Sequence, residues 1–170
     1  MPIETLSRAT MQDPHLERLL AAARRTIDEV AYCWVVTAAG AGDAHARAVK
    51  AFPNEERKDV WTRWFLTNRT GRKATEIRQS GRVTLAYQHH SGEAYVALAG
   101  RAEIIDEADA VESRLKEVYD PDGSLAGRLV AVRVTGERLE LHLRGVTAEP
   151  WGRGRTWLDR LPDGSWRLVE

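Results

Sequence analysis

Residues that could bind a phosphate lie close together in the segment from Trp64 to Gln88. The segment has the pattern of an apolar strand ending in Thr67, a polar turn with Gly71, Arg72 and Lys73, a short helix and a second strand. Backbone N–H groups at a helix start bind anions, and neighbouring cations strengthen that binding. Charge-assisted hydrogen bonds to a phosphate contribute on the order of 1.5–3 kcal/mol each, so three or four of them could anchor a phosphorylated ligand.

A third cation, Arg47, lies inside the strand-like sequence HARAVK. Side chains alternate along a strand, so Ala46 and Ala48 face one way while Arg47 and Val49 face the other. The Arg47 guanidinium either contacts water on an open sheet face, as most arginines do, or must find an anion or reach a sheet edge.

Composition limits the kinds of partner. The 170 residues are enough for one domain, or one domain with a tail, and their 25 basic and 25 acidic side chains cancel. A neutral chain has no extended basic stripe, so we expect neither a nucleic acid nor a membrane as partner. The five histidines are scattered without the spacing of a metal site.

The single cysteine and the length of the apolar runs indicate the cellular compartment of the protein. Cys33 cannot form an internal disulfide, and its apolar surroundings predict a buried, inert thiol. No apolar run reaches the ~18 residues that span a bilayer, and the N-terminus lacks the pattern of a secretion signal. We therefore expect a cytoplasmic protein.

The elements that would position the cations are mainly strands. Asp13 and Pro14 predict the start of a first helix, and Thr70 is expected to cap the helix that follows the third strand. Strands and short turns account for most of the remainder, and Gly100 predicts a bend or bulge in a long strand. The predicted strands cover residues 31–38, 45–52, 61–67, 82–89, 95–105, 128–135 and 138–144, the last two as a hairpin around Gly136.

Short turns between strands favour an antiparallel sheet, since a parallel one needs a crossover between nearly all its strands. The fold class expected is mainly β, a β-barrel with peripheral helices. We assign residues 1–145 to this domain and residues 146–170, rich in tryptophan and arginine, to a tail that packs on the barrel or on a partner subunit.

An ordered series of sequence pieces resembles the FMN-binding split β-barrel family that includes pyridoxamine 5′-phosphate oxidase, and within it the branch of general-stress FMN proteins. The resemblance covers roughly residues 13–144. The pieces that carry it are Arg47-Ala48-Val49, Trp64-Phe65-Leu66-Thr67, Gly71-Arg72-Lys73 with Glu76-Ile77, Val83 to Gln88, and the Gly100 strand with residues 102–106.

The resemblance implies a homodimer that binds FMN in clefts between subunits, and a flavin that exchanges hydride with a small-molecule substrate. Carried over by motif, Arg72 and Lys73 would hold the phosphate and Gln88 would hydrogen-bond the ribityl chain or a polar ring edge. The other residues implied along the flavin are Arg47, Ala48, Val49, Phe65, Leu66 and Thr67. Family members often have serine where this chain has Gly71, so a backbone N–H would replace one hydroxyl contact.

The tail is similar to the end of the oxidases only in part. Trp151 and Arg155 correspond to cofactor-site positions, but the histidine of the oxidase tail is missing. No catalytic residue can be named from the sequence. Two alternatives therefore stay open beside an FMN-dependent oxidoreductase: a flavin-binding stress or sensor protein without efficient turnover, and a relative that binds a deazaflavin or haem.

Overall fold

The computed structural model describes residues 13–53, 59–116, 122–125, 127–148 and 156–169. Three α-helices and eight β-strands lie in these ranges, with a short 3-10 turn at Gly40–Gly42. The helices are α1 (Pro14–Glu29), α2 (Arg72–Ser80) and α3 (Ala108–Leu115). The strands are β1 (Tyr32–Ala38), β2 (Ala44–Lys50), β3 (Thr62–Asn68), β4 (Arg82–His89), β5 (Ala94–Ile105), β6 (Leu129–Leu143), β7 (Thr156–Arg160) and β8 (Trp166–Val169).

The eight strands form one antiparallel sheet, which confirms the mainly β fold class with peripheral helices. Neighbouring strands follow the order β2-β1-β4-β5-β6-β7-β8, and β3 pairs with β6. Within the described residues the sheet does not close, because β2 and β3 lie near each other without pairing. This gap between β2 and β3 is the place where a ligand could enter.

Strand alternation separates an inner face from an outer face. In β1, Cys33, Val35 and Thr37 are buried, whereas Tyr32 and Trp34 are exposed. Burial raises the pKa of the Cys33 thiol to about 11, which confirms the inert buried thiol predicted from the sequence. The inner faces enclose the core with α1, whose start at Asp13 is also confirmed, since the Asp13 carboxylate accepts a hydrogen bond from the His15 N–H.

The predicted hairpin around Gly136 is wrong, because β6 continues through this residue as one strand. Its register with β5 shifts between Ala99 and Gly100, leaving Glu137 as the extra residue of a bulge. Gly136 does not form a turn but lets neighbouring groups pack closely against the β6 backbone, because a Cβ at this position would lie 2.4 Å from Leu98 Cδ1. The bend predicted at Gly100 is confirmed by the same register shift.

The described part of the tail adds two strands to the sheet. β7 pairs with β6, β8 pairs with β7, and the Trp166 ring packs edge-on against Trp61 with ring centres 5.1 Å apart. Whether residues 146–170 also pack on a partner subunit stays a prediction.

Gly100 offers a test of the bulge. A Cβ at this position would lie 2.0 Å from the Thr135 carbonyl oxygen, so Gly100→Ala must displace the backbone of β6. We expect a loss of about 2–4 kcal/mol in the free energy of unfolding, measured by urea denaturation. Gly40→Ala is the control, because a Cβ there meets nothing within 4 Å, and it should change stability by less than about 0.5 kcal/mol. Equal stability of the two variants would contradict this account of the bulge.

Candidate functional site

A cleft of about 710 Å³ lies at the gap between β2 and β3, where α2 begins. Strand β2 supplies residues 47–50, β3 supplies residues 66–68, and the turn into α2 supplies Gly71, Arg72 and Lys73. Phe52, Leu125 and Leu129 complete the described lining. The lining thus combines cations from β2 and from the start of α2 with apolar side chains from both strands.

The start of α2 is open towards this cleft. The helix N-cap is Gly71, which has no side chain to cap the first N–H groups. The prediction that Thr70 caps the helix is wrong, because the Thr70 N–H and hydroxyl both donate to Asn68 Oδ1. The first turn of an α-helix leaves backbone donors without intrahelical partners, so this end can bind an anion.

Arg47 lies on the inward-facing side of β2, and 27% of its side-chain surface stays exposed. Its neighbour Val49 is buried, whereas Ala46 and Ala48 are exposed, as the alternation of β2 requires. Both Nη atoms of Arg47 are buried and have no hydrogen-bond partner among the described residues. Buried Nη atoms without such a partner cost free energy, which the ion pair of Nη1 with Glu76 Oε2 at 3.7 Å offsets only in part, so these atoms mark a position that suits an anionic ligand.

Lys73 is a half-buried cation beside Arg47. Burial first, and then the Arg47 charge, lower the pKa of Lys73 below its ordinary value. Its Nζ lies 5.6 Å from the centre of the Phe65 ring, a distance at which a cation is attracted to an aromatic face. The two cations therefore repel each other in partly dehydrated surroundings, and a bound anion would reduce this repulsion.

A buried carboxylate that sequence reasoning missed lies behind these cations. Glu76 accepts a hydrogen bond from Thr37 Oγ1 at 2.5 Å, and its Oε1 lies 2.7 Å from His45 Nδ1. The bond from Thr37, followed by the contact with His45, lowers the pKa of Glu76 despite its burial. The signals that could have found the cluster are the four-residue spacing from Arg72 to Glu76 on a helix and the shared strand face of His45 and Arg47.

The structure brings together most of the residues predicted to bind a cofactor. Phe65 is fully buried behind the cleft, beneath Lys73, and Gln88 is exposed in a different pocket of about 260 Å³ on the outer sheet face. Trp151 and Arg155 lie outside the described residues. Those that line the cleft are Arg47, Ala48, Val49, Leu66, Thr67, Arg72 and Lys73.

The described residues show no sign of two other kinds of site. They contain no cluster of three or more histidine, cysteine or acidic side chains that could hold a metal ion. Among them, too, no helix has both the length and the apolar character needed to cross a bilayer.

Solved structures with a similar fold include the following three proteins. A pyridoxamine 5′-phosphate oxidase-related, FMN-binding protein from Nostoc punctiforme is 12% identical, with 94% of this chain and 98% of that chain covered and a TM-score of 0.62. A Clostridium acetobutylicum protein related to general stress protein 26 is 17% identical over 76% of this chain and 90% of that chain, with a TM-score of 0.62. PhzG from Burkholderia lata, solved with tetrahydrophenazine-1-carboxylic acid, is 17% identical over 91% of this chain and 88% of that chain, with a TM-score of 0.59.

At these identities the structural likeness establishes the fold alone, and no curated protein matches the chain. The family model described as "pyridoxamine 5′-phosphate oxidase like" matches residues 20–140, which is more than half of the 170 residues. The match includes the whole of β2, β3 and α2 and therefore the cleft between them. The chain belongs to the pyridoxamine 5′-phosphate oxidase-like family.

Proposed function

We propose that this protein binds FMN in the cleft between β2 and β3 and is a flavin-dependent oxidoreductase that acts on a small substrate. The observation that carries the proposal is the pair of buried Arg47 Nη atoms, which have no hydrogen-bond partner in the described part of the chain and lie beside Lys73 and the uncapped start of α2. A phosphate monoester carries acceptor oxygens and negative charge that suit donors of each of these kinds. Family membership and the FMN-binding protein of the same fold from Nostoc punctiforme support a flavin over other phosphorylated ligands.

The residues of the cleft fit the two chemically different ends of FMN. Arg72, Lys73 and the α2 backbone would hold the phosphate, with Arg47 reaching it from β2. Val49 and Leu66 are apolar lining residues that suit the flavin ring and ribityl chain, and the Thr67 hydroxyl is a donor or acceptor near them. FMN, when bound, would supply the redox chemistry, and the protein would bind and orient it.

The described lining of the cleft contains no aspartate, glutamate, histidine or cysteine. A proton needed during turnover would therefore come from solvent, from the substrate or from a residue outside this lining. The same observation favours a second candidate, a flavin-binding stress or sensor protein without efficient turnover. Both candidates predict bound FMN and differ in whether a nicotinamide cofactor reduces it rapidly.

Two measurements test whether the cleft binds FMN: the absorbance spectrum of the protein, and its affinity for FMN compared with riboflavin. Purified protein, or protein incubated with FMN, should show the absorbance bands of an oxidised flavin, whereas a deazaflavin or haem would give a different spectrum. Arg72→Ala with Lys73→Ala should weaken FMN binding roughly 100-fold or more, because two charge-assisted contacts are lost. Affinity for riboflavin, which lacks the phosphate, should change little, and fluorescence titration measures both ligands.

The matched control is Arg82→Ala with Arg101→Ala. These two arginines pair with Glu137 outside the cleft, so their removal changes the net charge equally without touching the proposed site. FMN affinity should stay within a few-fold of the original in this control. Protein that remains colourless with FMN, or an equal loss in both double variants, would refute the FMN site.

We also propose that two copies associate through the outer sheet face. Trp34 and Tyr32 are exposed there. Ala86 lies beside Trp34 on the neighbouring strand and Ala97 lies beside Ala86 on the next, so the apolar surface extends across three strands. An exposed tryptophan beside small residues offers a flat apolar surface that a second copy can cover. Gln88 lines a pocket on the same face, so a second copy placed here would bring it near a ligand shared between subunits.

Trp34→Glu should convert the dimer to a monomer, since a carboxylate at the centre of an apolar interface would lose its hydration. Light scattering coupled to size exclusion measures the mass of each species. Glu103→Gln, which alters an exposed ion pair with Arg133, is the control and should leave the mass unchanged. A monomeric unaltered protein, or a Trp34→Glu variant that remains dimeric, would contradict this interface.

A further inference from the structure

Glu76 is a buried acidic side chain at ion-pair distance from two cations of the cleft, Arg47 and Arg72. It is buried in α2, and two elements hold it in place: Thr37 of β1 through its hydroxyl and His45 of β2 through Nδ1. Its Oε2 lies 3.7 Å from Arg47 Nη1, and its Oε1 lies 3.8 Å from Arg72 Nε. These are ion-pair distances and not hydrogen bonds, so the guanidinium groups remain available to another anion.

The charges around Glu76 do not balance within the cluster. Arg47 and Arg72 contribute two positive charges at ion-pair distance from Glu76, which contributes one negative charge, and Lys73 adds a positive charge beside Arg47. Thr37 is neutral, and His45 can add a further positive charge when it is protonated. Without a ligand, Glu76 therefore compensates part of this positive charge, above all that of the partly buried Arg47.

The low pKa of Glu76 keeps the carboxylate ionised at neutral pH. A fixed negative charge behind the cations has two opposite effects. It stabilises the protein when no phosphate is bound, and it repels a phosphate that enters the cleft from the other side.

We propose that Glu76 is the built-in counter-ion of the phosphate site. It stabilises the ligand-free protein and limits how tightly a phosphorylated ligand binds. The inference rests on the proposed function for the identity of the ligand, but it requires only that the cleft bind a phosphate. It predicts that loss of the negative charge strengthens phosphate binding, whereas a residue that merely held the arginines in place would weaken binding when altered.

Glu76→Gln tests the two outcomes, because glutamine keeps the size of the side chain and removes the charge. Its amide oxygen can accept from one of the two partners of Glu76, and its NH2 group can donate to the Thr37 hydroxyl oxygen, so the position keeps polar contacts. In the absence of ligand, the melting temperature of this variant should fall by roughly 3–8 °C, as expected when a partly buried cation loses its counter-ion. Inorganic phosphate should raise the melting temperature of Glu76→Gln more than that of the unaltered protein. Affinity for FMN should rise roughly ten-fold, the effect of about one nearby charge.

Glu103→Gln is the matched control, since it also removes one negative charge but in an ion pair outside the cleft. It corrects for the change in net charge and for the general stabilisation of proteins by phosphate. A Glu76→Gln variant with an unchanged melting temperature, or with weaker phosphate binding than the unaltered protein, would overturn the inference. Failure of the unaltered protein to bind FMN would refute the proposed cofactor alone, because the response to inorganic phosphate still decides the role of Glu76.

Discussion

The close approach of β5 and β6 at Gly100 and Gly136 is the constraint on which the rest of this structure depends. Neither glycine has a Cβ, so the two backbones can meet where side chains would collide, and the bulge at Glu137 lets β6 bend without ending. One strand of fifteen residues can then pair with β5 along its length, with β3 through its first half and with β7 through its second half. This arrangement fixes β3 on the opposite side of the gap from β2.

The gap between β2 and β3 explains why the site combines charges from separate parts of the chain. Strand β2 presents Arg47 on its inner face, and β3 leads directly into the uncapped start of α2 with Arg72 and Lys73. Paired strands would fill this space with a hydrogen-bond ladder. Unpaired strands leave a cleft lined by both cations and apolar side chains, the two kinds of group that the proposed FMN would need.

Much of this arrangement could be predicted because it follows from patterns of residues that are close in the sequence. The inward Cys33, the cap at Asp13, the alternation of β4 and the cations at the start of α2 all depend on neighbouring residues. The continuous course of β6 could not be predicted in this way, since a glycine between two apolar runs is typical of a turn as well as of a close approach. Its role at Gly136 depends on Leu98 and Trp61, which are distant in the sequence. The cytoplasmic location and the roles of Trp151 and Arg155 stay predictions.

The sequence by itself determined which side chains are available, on which face of each strand they lie and which cations begin α2, because backbone periodicity and helix termini act over a few residues. Only the tertiary structure decided that Arg47 meets Lys73, that Gln88 lies in a separate pocket, and that Glu76 stands behind the cations. The contacts of Glu76 with Thr37 and His45 join residues 39 and 31 positions apart in the chain. Electrostatic interactions act through space, so the balance of charge in this cleft exists only after the sheet has brought its strands together.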